Sequence, residues 1–336
     1  YVLLNEISEN TNKDDKKIVD TVVSSTITIE NVLAAKPLVE SGTFKSAGVV
    51  SVILPGESVT FQFSAGIGQA VTFATMYGWS NDLFFAPANP GIALYDANKK
   101  PIEGDVSAQI KLWDNGTRVN QKPGDKVVHP GEAVSAPSNV TEIASTDAQG
   151  NTYAAAKDML NASLKYDGNS LFTLTIKNTS GATVTPTPFS PGVWAISYVE
   201  GGDIIEKNVL YEAGKPTANG LTELSESGNN AILETYLNEQ KGILTGLSPV
   251  LVVVYNGIAN PIFKVGEKDQ GKGLKNIAQK GDATEFVNYL KALKGVKNVY
   301  VLSAAKTEIL WPKIGNQAAG KVTQELKVSR GDRIAI

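Results

Sequence analysis

Cysteine is absent from the 336 residues, and histidine occurs once, at His129. The first absence excludes disulfides, thiolate nucleophiles and cysteine-built zinc sites together. The second excludes a multi-histidine metal centre. It also leaves any Ser-His-Asp hydrolase dependent on one imidazole, in a turn-like "VVHPGE" with no GxSxG elbow before it. No apolar run approaches the roughly 18 residues of a membrane-spanning helix. The longest, "SPVLVVVYNGIA", breaks at Asn256-Gly257, so a soluble chain is expected. Neither sign of charge dominates, with 31 basic residues against 34 acidic ones, and nothing in the totals offers a footprint for nucleic acid. Stretches such as "GKGLKN" contain glycine but neither the GxGxxG spacing nor the Lys-Ser/Thr ending of a phosphate loop, so nucleotide binding is not expected.

What is present is mostly strand code. Residues 1 to 23 read as a polar lead-in segment, and from Thr26 the apolar residues recur with period two. In "VVSVILPGESVTFQFSAG", Val59, Phe61 and Phe63 share one face and Thr60 and Gln62 the other, with Pro55-Gly56 as the turn. Short strand candidates follow in "AVTFATMYG", "GIALYDANKKPIEGDV" and "AQIKLWDNG", a spacing that favours a β-sandwich. Residues 120 to 150 lose the periodicity and read as a long surface loop; 151 to 161 read as a short helix.

Three internal echoes stand out. "STITIEN" returns as "LFTLTIKN"; "FSPGVWAIS" with "GLTELSESGNNAILETYLN" returns as "LSPVLVVVY" with "GLKNIAQKGDATEFVNYLKAL"; "SVTFQFSAGIGQAVTF" is echoed by the closing "KVTQELKVSRGDRIAI". The second pair predicts two helix pairs, with Asn229 and Asp282 as N-caps. The expected division is a lead-in over 1–23, a sandwich over 24–167 and a second, partial unit over 168–336 with the duplicated helices. The closing strands, cut short, read as the opening strands of a further unit, and could alternatively pair with the N-terminal copy. The start at Tyr1 rather than Met suggests a trimmed or mature chain.

Residues 74 to 124 carry "ATMYGWSNDLFFAPANPGIALYDANKKPIEGDV" and then "LWDNGTRVNQKPG". This resembles the spondin N-terminal domain family in its bacterial form, whose members run "ATM..SND.F.AP...GIALYD..G.PI.GDV" and then "LWDAGTE.N..PG.G". With residues 260 to 282 similar to a segment that precedes the same core, the resemblance covers approximately 26 to 336, as one copy and part of another. It implies an antiparallel, C2-like β-sandwich, α+β overall once the helices of the C-terminal half are added, in a bacterial cell-surface or secreted protein. It also implies a calcium site at one end, held by Asp82, Asp114 and an acidic residue at position 118. Arg118 stands there instead.

Two readings of the site follow. Asp82 and Asp114 could hold Ca2+ with neutral oxygens from Asn81, Asn115 or the backbone, and with Asp125 or Glu132 as substitutes for the third acid. Alternatively Arg118 neutralises one aspartate and the site is a salt-bridged relic. Ser80-Asn81-Asp82 could also simply cap its own turn, with Trp79, Phe84 and Phe85 as packing. The expectation is a non-enzymatic, extracytoplasmic module whose loop end binds a glycan, matrix component or lipid headgroup through Trp79, Asn81, Phe84, Asn115 and Arg118. The alternative is a structural or assembly protein of the cell surface with no ligand and no metal.

Overall fold

The computed structural model describes residues 22–200, 203–204, 210–305, 309–313 and 318–336. The expected lead-in lies outside them up to residue 21. The chain forms two compact units, one from Lys36–Ile243 and one from the N-terminal residues up to Ala35 together with Leu244–Ile336. The architecture is mixed α+β and strand-rich, with the longer helices in the C-terminal half. Among the described residues no helix is long and apolar enough to cross a membrane.

After β1 (Val23–Glu30), the 36–243 unit begins with β2 (Leu38–Phe44), β3 (Ser58–Ser64), β4 (Gln69–Met76), β5 (Leu83–Pro87) and β6 (Ile92–Ala93). It continues through β7 (Gly104–Asp105), β8 (Ile110–Asp114), β9 (Thr141–Glu142), α1 (Ala156–Met159), β10 (Leu160–Gly168) and β11 (Leu171–Asn178). It closes with β12 (Gly192–Glu200), β13 (Asp203–Ile204), α2 (Leu221–Ser227) and α3 (Ala231–Glu239).

One sheet runs β3-β11-β10-β7 and the other β13-β12-β4-β5-β8-β9, with β2 on β12 and β6 on β4. Both contribute to a single core. Val59, Phe61 and Phe63 of β3 and Phe172, Leu174 and Ile176 of β11 meet Phe73, Phe85, Leu112 and Trp194 of the larger sheet. Phe61 stacks on Trp194 with ring centroids 5.2 Å apart, and Phe63 on Phe172 at 6.0 Å. The alternation read in β3 and β11 is therefore the alternation between this core and solvent. β4 and β5 are buried on both faces, which is why "AVTFATM" and "LFFAP" read as continuous apolar runs. Their second face packs Ala74, Phe84 and Ala86 against Leu221, Leu224, Leu233 and Leu237 of α2 and α3.

The expected boundary between 167 and 168 falls inside the β10–β11 hairpin, whose partners run from Leu160↔Asn178 to Gly168↔Leu171. Within the sheet, β11 lies between β10 and β3. Alternation along a strand says which residues are buried but not which strand lies beside it. The 120–150 stretch is mostly irregular, as expected, apart from the short β9 against β8.

The other unit adds β14 (Val250–Tyr255), α4 (Leu274–Lys280), α5 (Thr284–Ala292), β15 (Val296–Leu302), β16 (Lys321–Val328) and β17 (Arg333–Ala335). Its strands run β15-β14-β17 and β1-β16. The echoes in the sequence are equivalences of structure. β1 pairs with β16 as β11 pairs with β3: Ile29↔Val322 corresponds to Ile176↔Val59, and the Thr28–Thr323 hydroxyl contact of 3.1 Å to Thr60–Thr175 at 3.2 Å.

Asn31 donates through Nδ2 to the Thr245 and Leu310 carbonyls, as Asn178 does to Thr187 and Ile53. β14 corresponds to β12, β15 to β2 and β17 to the start of β4. The helix pairs match as well: α2 and α4 each follow a glycine in the left-handed region, Gly220 and Gly273. A Cβ on either would come within 2.6 Å of a backbone nitrogen of the next helix, Leu233 in one and Phe286 in the other. Asn229 and Asp282, expected as N-caps, each stand one residue before the N-cap position, which Asn230 and Ala283 occupy, and accept the N–H of the first helical residue, Ala231 and Thr284. Among the described residues, β5 to β10 have no counterpart in this second unit.

Candidate cation site

Ser80, Asn81 and Asp82 occupy the turn from β4 to β5, and each has a separate task. The Ser80 hydroxyl donates to the Tyr77 carbonyl at 2.7 Å and accepts from Leu83 N at 3.0 Å, which closes the turn. Asn81 accepts from Gln121 N and donates to the Val128 carbonyl, at 2.9 Å each, and so holds the 121–131 loop. Gly131 must stay bare for this, since a Cβ there would fall 2.3 Å from Asn81 Nδ2. Asp82 faces the opposite way. β5 begins at Leu83 and β8 ends at Asp114, paired antiparallel, so Asp82 arrives beside the loop that follows β8.

Asp82 is completely buried. Its Oδ2 accepts from Thr117 N at 2.7 Å and Arg118 N at 2.9 Å, and lies 3.0 Å from the Thr117 hydroxyl. That hydroxyl is also 2.7 Å from Glu226 Oε1, so one proton serves two carboxylates. Asp114 accepts from Gly116 N and Asn120 Nδ2, at 2.7 Å each. Acceptors nonetheless outnumber donors: Asp82 Oδ1, Asn115 Oδ1 and Asn120 Oδ1 are buried with no partner, against a single such donor in this loop, Arg118 Nε. Burial first, and then the charge of Asp114, push the Asp82 carboxyl up to about 6. Burial also raises Asp114, with Asp147 adding to it. Asp147 stands behind, fully engaged by Gln149 N, Asn151 and the Tyr153 hydroxyl.

The Arg118 side chain makes no hydrogen bond to an aspartate, although its charge acts on Asp82 through space. The guanidinium donates to Glu226 Oε2 on α2 at 2.7 Å, and only its backbone N–H serves Asp82. Asp125 and Glu132, considered as substitutes for the missing acid, are both exposed. The carboxylate that reaches the neighbourhood is Glu226, from a helix more than a hundred residues along the chain. No local spacing could have marked it.

The structure therefore divides the residues expected to act together. Asp82, Asp114 and Asn115 converge with Thr117, Asn120 and Glu226. Asn81 serves the neighbouring loop. Phe84, expected on a ligand-contacting surface, is fully buried and meets Tyr211 edge-on at 5.4 Å, because β5 is covered on both faces. Asn81 and Asn115 are buried too and offer no surface. Trp79 is half-buried and lines a separate cleft.

Among the described residues no group of three or more His, Cys, Asp or Glu side chains is placed to hold a metal. Two carboxylates with amide oxygens suit a hard cation that completes its shell with backbone oxygens and water; they do not suit zinc. No family model matches the chain, and neither the curated proteins nor the solved structures contain a match to it.

Proposed function

We propose that the 36–243 unit is a non-catalytic recognition module of spondin type, a C2-like sandwich carrying a divalent cation, Ca2+ by its oxygen donors, at the Asp82–Asp114 end. The observation that carries this reading is the unpartnered Asp82 Oδ1, completely buried beside a second carboxylate. An isolated charge in such a place is expensive, and a bound cation offsets that cost. Asn115 Oδ1 and Asn120 Oδ1 lack partners in the same loop and add the neutral oxygens calcium accepts. Arg118 opposes the cation less than its charge suggests, because Glu226 engages it. The same burial argues against acid–base catalysis. A carboxyl raised to about 6 is suitably tuned, but Asp82 has no surface at which a substrate proton could be reached.

The module is assigned to an extracytoplasmic setting, and its partner to a glycan, matrix component or lipid headgroup met at the loop end. A purely structural role is the second reading, favoured by the repeated scaffold and by the burial of Phe84. Calorimetric titration of chelator-treated protein with calcium separates the two. Saturable binding that disappears in Asp82→Asn and Asp114→Asn supports the cation module. Absence of heat in the wild type leaves the structural reading.

A further inference from the structure

Beside the Asp82 centre, a cleft of about 570 Å3 opens in the same unit between the β4–β5 turn, the 125–129 stretch, the 188–191 segment and the end of α2. Trp79, Met76, Pro188 and Pro191 contribute apolar lining, and Asp125, His129 and Ser51 contribute polar lining. Trp113 and Trp194 are committed to the cores, against Tyr211 at 4.8 Å and Phe61 at 5.2 Å. Trp79 is only half-buried, while Asp125, His129 and Ser51 are exposed.

We propose that this cleft binds a single sugar ring, with Trp79 as the platform for its C–H face and Asp125, His129 and Ser51 as partners for its hydroxyls. A pyranose has an apolar face and a polar rim, and it needs an aromatic surface edged by hydrogen-bonding groups. The volume lies within the roughly 300–1,000 Å3 of small-ligand sites. A phosphate or sulfate would meet the Asp125 carboxylate and no Lys or Arg among the lining residues. A proline-rich peptide needs several exposed rings in a row. Here Phe189 is fully buried, which leaves Trp79, half-buried and packed in part against the core, as the single Trp, Tyr or Phe ring available among the lining residues.

Both walls of the cleft are attached to the cation site. Asn81, next to Asp82, anchors the loop bearing Asp125 and His129, and the Trp79 carbonyl accepts from Gly124 N at 3.2 Å. Glu226, next to Ser227 in the opposite wall, bonds Thr117 and Arg118. A cation at Asp82 would hold both walls and tighten sugar binding; this coupling rests on the cation reading, whereas the sugar site does not.

The test titrates the full chain, calcium-loaded and chelator-treated, with methyl glycosides of glucose, galactose, mannose and N-acetylglucosamine, followed by tryptophan fluorescence and saturation-transfer NMR. At least one glycoside is expected to bind saturably. The affinity should fall tenfold or more in Trp79→Ala, fall less in Trp79→Phe and fall severalfold in Asp125→Asn. Calcium binding without any glycoside binding would overturn the sugar site and spare the cation. Glycoside binding unaltered in both Trp79 variants, or binding of a polyproline peptide in place of every glycoside, would also overturn it. Glycoside binding at Trp79 in a protein that takes up no calcium would uphold the cleft and remove the cation reading.

Discussion

Burial with one oxygen unpartnered makes Asp82 a poor anion in the cation-free protein. Its pKa is raised from 3.8 to about 6, so between those values the folded state holds a proton that the unfolded state has released. Asp82 thus favours folding at low pH. That contribution is complete below pH 3.8, shrinks as pH rises, and is lost above about 6, a change of about 3 kcal/mol at most. Urea denaturation of chelator-treated protein from pH 4 to 7 should show wild type losing stability relative to Asp82→Asn as pH rises; a flat difference would contradict the burial argument.

Charge at the rim follows the same logic. Arg118→Gln removes a cation beside the site and should raise calcium affinity by about tenfold, while Glu226→Gln releases the guanidinium and should lower it by a similar factor. Calorimetry on both variants checks the signs. Asp82 and Asp114 were legible as a pair only through the resemblance, whose two motifs carry one acid each. Glu226 was not, because only the packing of α2 delivers it.

At the scale of elements, two asparagines fasten strands to the segments that leave them. Asn178 and its counterpart Asn31 each place one buried amide on two carbonyls. Truncation leaves those groups with less than their full complement, and Asn178→Ala should cost about 3 kcal/mol. Denaturant melts of the 36–243 unit measure this, and a loss below 1 kcal/mol would mean that the amide is replaceable. Alternation revealed β3 and β11, and repetition revealed both helix pairs, since each signal lies in contiguous residues. The β10–β11 hairpin was divided wrongly because strand neighbours depend on sheet order. Phe84 was misplaced because helices that cover β5 lie more than a hundred residues away.

For the molecule as a whole, the 36–243 unit carries a closed arrangement of its own ends. Leu38 N donates to the Gln240 carbonyl at 3.2 Å, and Gly242 N donates back to Leu38 at 2.9 Å. The unit excised at these residues should fold alone with an unchanged denaturation midpoint, measured against the full chain by circular dichroism. An unfolded fragment would contradict its standing as a domain. The α+β class and the repeated scaffold were readable from sequence. The circular order of the equivalent strands was not, because in one unit the strand equivalent to β11 comes first and in the other near the end. The central claim is a cation held by Asp82 and its neighbours, and the most direct measurement is anomalous diffraction from crystals of chelator-treated protein soaked in terbium. The account predicts a peak about 2.3–2.6 Å from Asp82 Oδ1, with Asp114 in the same shell. Full soaking with no peak there, and Asp82 Oδ1 found bonded to a protein donor instead, would contradict it.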